Sequence, residues 1–123
     1  FLLLQLPLAG LLFWIGSVSG AGGWALVLWG IPLRLTIVYH ITWLVNSASH
    51  CWGTVAFDSG DNSRNNPWVA ALTFGEGWHN NHHAFPHSAI HGLQRGQIDL
   101  TWQHIRLMRA LGLARKIRLP ITS

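Results

Sequence analysis

The stretch Trp24-Ala-Leu-Val-Leu-Trp-Gly-Ile-Pro-Leu-Arg-Leu-Thr-Ile-Val-Tyr-His-Ile-Thr-Trp-Leu-Val-Asn-Ser-Ala-Ser-His-Cys-Trp52 decides the fold, because it is long, largely apolar and carries one charged side chain, Arg34. At about 1.5 Å per residue, a helix over this run is roughly 40 Å long, against a bilayer hydrocarbon core of about 30 Å. Its last two turns, holding Asn46, Ser47, Ser49 and His50, should therefore emerge from the membrane. Gly30 and Pro32 interrupt the pattern, since proline has no N–H for the helix ladder and its ring crowds the preceding turn. The run either kinks there or starts again with Pro32 in a first turn. Arg34 is the awkward residue: near the bilayer centre an unpaired cation costs at least about 2.5–3.5 kcal/mol. It either faces a polar interior or marks the aqueous start of a helix.

Before this run, Phe1 to Val18 has no charge and reads as a helix slightly short of a full crossing. Ser17-Val-Ser-Gly-Ala-Gly-Gly23 reads as a turn. From Phe1 to Phe57 the sole charged side chain is Arg34; the four acids (Asp58, Asp61, Glu76, Asp99) and the other seven bases all lie further on. Half the residues are hydrophobic, 10% are charged and eight are Trp. This composition excludes a disordered or nucleic-acid-binding polar chain and makes a membrane the solvent of the first half. The sequence opens on Phe-Leu-Leu-Leu-Gln, inside an apolar run, so a missing upstream portion is expected. A second apolar run, where a soluble domain should follow, argues against a cleaved signal peptide. The single Cys51 permits no internal disulfide and reads as a small packing residue.

The second half is polar. Asp58-Ser-Gly-Asp-Asn-Ser-Arg-Asn-Asn-Pro67 is a loop of turn formers. Asn66-Pro67 predicts an N-cap and first residue for a short helix over Trp68–Phe74, which Gly75-Glu-Gly77 breaks. Asp99 predicts the N-cap of a last amphipathic helix, with Leu100, Ile105, Leu107, Met108 and Leu111 to one side. The chain then ends on a basic segment, Arg115-Lys-Ile-Arg118.

His79, His82 and His83 stand at i, i+3 and i+4, so a helical turn there aims the imidazoles to one side. Neutral imidazole is a common ligand for transition metals. A zinc protease pair needs Glu directly after the first His; here that position is Asn80, so the proteolytic reading fails. Asn46 and His50 form a second polar pair, one helical turn apart, with Thr42 and Tyr39 continuing the stripe. Such a stripe either lines a site or makes interhelical hydrogen bonds.

Gly75-Glu-Gly-Trp-His-Asn-Asn-His-His-Ala-Phe-Pro86 resembles the third histidine box of membrane fatty acid desaturases. Thr42-Trp-Leu-Val-Asn-Ser-Ala-Ser-His50 resembles the segment before that box in the delta-9 acyl-CoA or acyl-lipid branch. The resemblance runs from about Pro32 to Pro120. Tail words such as Ile98-Asp-Leu-Thr-Trp102 are most similar to bacterial, cyanobacterial and plastid members. It implies an integral-membrane, non-haem enzyme that uses two iron ions, dioxygen and two electrons to place a double bond in a saturated acyl chain, carried as acyl-CoA or acyl-lipid. By position, His50, His79, His82 and His83 are then iron ligands, Asn46 binds through a water, and Thr42 and Trp43 lie near the acyl channel. The family's first two boxes would lie upstream, so this segment alone is expected to be inactive. His40, His87, His91 and His104 match no ligand position, and Glu76 is expected to orient an imidazole. The resemblance also implies ferredoxin or a b-type cytochrome as electron donor, docked on the basic surface around Arg106, Arg109, Arg115, Lys116 and Arg118.

The architecture expected is all-α: an integral-membrane, multi-pass helical hairpin over 1–57, then a cytosolic helical cap over 58–123 that carries the histidine-rich metal site. The active site would face the cytosol or stroma, as the basic tail and the positive-inside rule suggest. Two rivals stand beside this reading. One is another histidine-box oxygenase, such as an alkane or carotenoid hydroxylase, against which the Asn46–His50 segment argues. The other is a non-enzymatic metal- or haem-binding membrane protein. Haem wants isolated axial ligands, whereas three crowded imidazoles suit metal ions.

Overall fold

The computed structural model describes residues 2–120, so the expected helix start at Phe1 lies outside the described residues. The fold is all-α. Helix α1 spans Leu2–Ser19, α2 spans Gly23–Leu28, a π-helical turn covers Trp29–Leu33, and α3 spans Arg34–Cys51. Three shorter helices follow: α4 (Pro67–Leu72), α5 (His79–Ala84) and α6 (Leu100–Ala110). The chain divides into two compact units, Phe1–His40 and Ile41–Ser123.

In the first unit, α1 ends in a glycine turn that lets α2 start directly against it. The Gly22 N–H donates to Gly16 O at 2.9 Å. A Cβ on Gly16 would lie 2.5 Å from Gly22 O, and one on Gly23 would lie 2.7 Å from the Phe13 ring, so only glycine allows this approach. Phe13 and Trp24 then meet edge to face at 5.2 Å. Leu3, Leu6, Trp14, Trp24 and Trp29 are exposed, an apolar surface suited to lipid rather than water.

From Gly23 the helix runs on to Cys51, 29 residues of mean hydropathy 1.4. At about 43 Å it is the one helix among the described residues long and apolar enough to cross a bilayer. Pro32 neither stops nor restarts it. The ladder loosens into a π-turn instead, where the Arg34 N–H reaches Trp29 O and Ile31 O and bypasses Gly30 O. The Arg34 side chain turns back on this carbonyl: Nε donates to Gly30 O at 2.9 Å and Nη2 to Gln5 Oε1 at 3.3 Å. Arg34 is itself exposed and has these two polar partners.

The second unit is held together by amides more than by apolar packing. Its apolar core is small, Val45, Ala48 and Val69. The largest fully buried side chains are Asn65, Asn80, Asn81, Ser49 and Ser63. Asn65 pairs by backbone with Thr54 and with Trp78, which draws the 53–66 loop across the start of α5. Both predicted caps are present. Asn66 Oδ1 accepts from Trp68 N and Val69 N at 3.0 and 3.1 Å, and Asp99 Oδ1 accepts from Trp102 N at 2.8 Å. The other Asp99 oxygen takes His91 N at 2.7 Å and Gly92 N at 3.1 Å, so one buried carboxylate ties the segment at 91–92 to the start of α6. Cys51 is exposed, not packed as the sequence suggested, because it sits at the open end of α3.

Asn80 carries the loop. Its Oδ1 accepts from Ala56 N and Phe57 N at 2.8 and 2.9 Å, and its Nδ2 donates to Phe57 O at 3.0 Å. An Asn80→Ala change strands both N–H groups, at about 1–3 kcal/mol each if they stay buried. Limited proteolysis should then cut the 53–66 loop faster than in wild type; unchanged cleavage would mean that the loop is held elsewhere.

Candidate metal centre

His50 sits in the last turn of α3, on the same stretch as the buried Val45, Ala48 and Ser49. Helix α5 brings His79 and His83 to it. His79 Nε2 lies 3.2 Å from His50 Nε2, with the rings 5.0 Å apart and nearly perpendicular. The His83 ring is 4.2 Å from that of His79 and 5.3 Å from that of His50. One ring nitrogen from each of the three falls within 4.8 Å of the other two.

The asparagines between the histidines explain why so short a helix holds this position. While the imidazoles face His50, Asn80 grips the 56–63 loop and Asn81 grips three other segments. Asn81 Oδ1 accepts from Asn65 Nδ2 at 2.6 Å, and its Nδ2 donates to His91 O at 2.6 Å and Gln97 Oε1 at 2.7 Å. Glycines bring the box in close: a Cβ on Gly77 would stand 2.0 Å from Ala70 N, and Gly75 has φ 121° with Asp99 Oδ1 2.6 Å from where a Cβ would be.

His79 is 5% exposed, and burial, followed by the neighbouring His83, His50 and His82, pushes its pKa down to about 4. It is therefore neutral at physiological pH, with a lone pair to offer. Burial also lowers the pKa of His82, helped by His91 and His83.

The other predicted residues are placed differently. His82 turns from the trio toward His91, with ring centroids 4.7 Å apart, and its buried Nδ1 has no hydrogen-bond partner among the described residues. Asn46 is exposed one turn before His50 and donates its amide N–H to Thr42 O at 2.9 Å. Thr42 and Trp43 are exposed on the same helix. Glu76 does approach an imidazole, but that of His91, at 3.7 Å. His87 and His104 are exposed and stand outside the trio.

Asp61 was invisible as a site residue in the sequence. Its carboxylate accepts a hydrogen bond from His83 Nδ1. The Ser63 side chain and N–H, then His83 and Ser59, hold the Asp61 carboxyl well below the usual carboxylate range. Asp61 had read as one more turn former, because nothing in the spacing shows the loop folding back on α5.

These residues fit a metal ion. Two nitrogens each about 2.1 Å from one ion stand about 3.0–3.4 Å apart at cis or tetrahedral angles, and His50 and His79 are already 3.2 Å apart. A buried, neutral His79 and a buried His82 nitrogen with no partner among the described residues are what a ligand set needs before it takes a cation.

A family profile described as "Fatty acid desaturase" matches residues 1–114. The chain belongs to the fatty acid desaturase family. Within it, the chain is 54% identical over 97% of its length to an sn-1 stearoyl-lipid 9-desaturase of Synechocystis sp., covering 36% of that protein. It is 55% identical over 85% of its length to a chloroplastic palmitoyl-monogalactosyldiacylglycerol delta-7 desaturase of Arabidopsis thaliana, covering 28% of that protein. An acyl-CoA C20 Delta5-desaturase of Anemone leveillei is 50% identical over 80% of the chain, which covers 32% of it. The chain thus spans about a third of the length of these desaturases, and its similarity to delta-9 acyl-lipid members is close.

Proposed function

We propose that the protein carrying this chain is a dioxygen-dependent acyl desaturase, with His50, His79, His82 and His83 as ligands of an iron pair and Asn46 bound through a water. The observation that carries the reading is the convergence of His50 with His79 and His83, within 4.8 Å, in a chain 54% identical to a lipid 9-desaturase. When bound, the iron pair supplies the oxidising power to remove two hydrogens from a saturated acyl chain. With dioxygen, two electrons and two protons, these leave as two waters. Neutral imidazoles keep such a pair electron-poor compared with a carboxylate-rich set, which suits attack on an unactivated C–H bond.

The residues of this chain hold and aim the site. Asn80 and Asn81 fix α5, and α3 carries His50 at the end of a membrane-length helix, beside the place where an acyl chain can enter from the bilayer. Thr42 and Trp43, both about two turns before His50, are proposed to line that channel. The names of the 54–55% identical relatives favour a lipid-bound acyl chain over acyl-CoA. Residues 1–57 are proposed as part of a multi-pass membrane hairpin and 58–123 as a cap on the cytosolic or stromal face, where the basic tail meets ferredoxin or a b-type cytochrome.

The test is expression of the full-length parent in a host that makes only saturated acyl chains, with gas chromatography of its lipids. New monounsaturated chains should appear, and a His82→Ala/His83→Ala double variant should make none. Undiminished unsaturation in that variant would overturn the assignment.

A further inference from the structure

We propose that Asp61 is a positioning residue for the metal centre: its carboxylate fixes the tautomer and aim of His83, so that Nε2 presents its lone pair to the iron. This rests on the metal reading above and extends it to a residue outside the histidine motif.

A carboxylate only accepts hydrogen bonds, so in the contact between Asp61 and His83 the proton sits on Nδ1. Neutral imidazole has one N–H, so Nε2 is left bare. His50 and His79 settle their orientation against each other through their Nε2 atoms, 3.2 Å apart. His83 has this outside anchor instead. The anchor is itself built: Asp61 Oδ1 accepts from Ser63 N and Ser59 Oγ, both at 2.8 Å, while the other oxygen faces His83. Ser59 Oγ also meets Ser63 Oγ at 2.9 Å and takes Asn80 Nδ2 at 3.2 Å. The chain of contacts therefore runs from α5 out to the loop through Asn80 and back to α5 through Asp61. Outer carboxylates of this kind raise the basicity of a ligating imidazole and restrict its rotation.

Asp61→Asn isolates the role. The amide oxygen can keep the bonds from Ser59 and Ser63, but the NH2 now donates to His83 Nδ1, drives the ring proton to Nε2 and blocks the ligand atom. In purified full-length protein, iron affinity measured by competition with a chelator should fall about 10–100-fold in Asp61→Asn. Asp61→Glu should recover part of it, and Asp58→Ala, which removes a different carboxylate of the same loop, one that takes Gly60 N at 3.1 Å, should stay near wild type. His83→Ala is the reference arm. If His83→Ala loses iron while Asp61→Asn binds it as wild type does, the positioning role is wrong and the metal reading stands. If both bind iron normally, the metal reading itself fails. Equal losses in Asp58→Ala and Asp61→Asn would reduce Asp61 to a loop support and overturn the proposal.

Discussion

Replacing His79 with alanine should lower acyl desaturation by the full-length parent more than about 100-fold while leaving the protein folded in the membrane. Loss of an outer partner of a metal ligand costs about 10–100-fold, so loss of a histidine proposed as a ligand itself should cost more. His79 is the buried member of the trio: its ring lies 5.0 Å from that of His50 and 4.2 Å from that of His83, it is 5% exposed, and burial keeps it neutral. The fold should survive, because α5 is anchored by Asn80 and Asn81, and His79 makes its side-chain contacts to the other imidazoles. The comparison variant is His104→Ala, an exposed position on α6. Product analysis by gas chromatography should find wild-type unsaturation there and almost none in His79→Ala; equal product from both would remove His79 from the site.

The largest structural effect is expected from Gly77→Ala. The added methyl would sit 2.0 Å from Ala70 N and 2.6 Å from both Ala70 Cα and Asn66 O. All three are backbone atoms, which have no rotamer to yield. Asn66 N also donates to Gly77 O at 2.8 Å, so moving the strand aside breaks the bond that seats α5 against α4. Overpacking of this kind costs about 3 kcal/mol or more, a large part of the stability of an ordinary domain. Gly77→Ala should therefore aggregate or melt far below wild type in a detergent thermal-shift assay. Gly10→Ala, where a Cβ meets nothing within 4 Å, should melt with wild type. A wild-type melting curve for Gly77→Ala would contradict the packing described.

Much of this was legible from local chemistry. The apolar run gave the long helix, Asn66 and Asp99 announced their caps, and the spacing of His79, His82 and His83 announced a helical turn. What stayed hidden depended on contacts distant in sequence. Asn80 was read only for what it excluded and Asn81 not at all, yet they are the clamps that hold α5, and their partners lie 10 to 24 residues away. The spacing placed three imidazoles on one side; the structure sends His79 and His83 to His50 and turns His82 toward His91. Pro32 and Arg34 looked like separate difficulties. They meet in one feature, since the arginine side chain bonds a carbonyl of the π-turn that holds the proline.

The most direct measurement is the iron-to-polypeptide ratio of the purified full-length parent, wild type against a His50→Ala/His79→Ala/His83→Ala variant, each checked for membrane insertion and a folded elution profile. Iron should copurify with wild type and be lost from the folded variant. A folded variant with the same iron-to-polypeptide ratio as wild type would contradict the claim that these three histidines hold the metal.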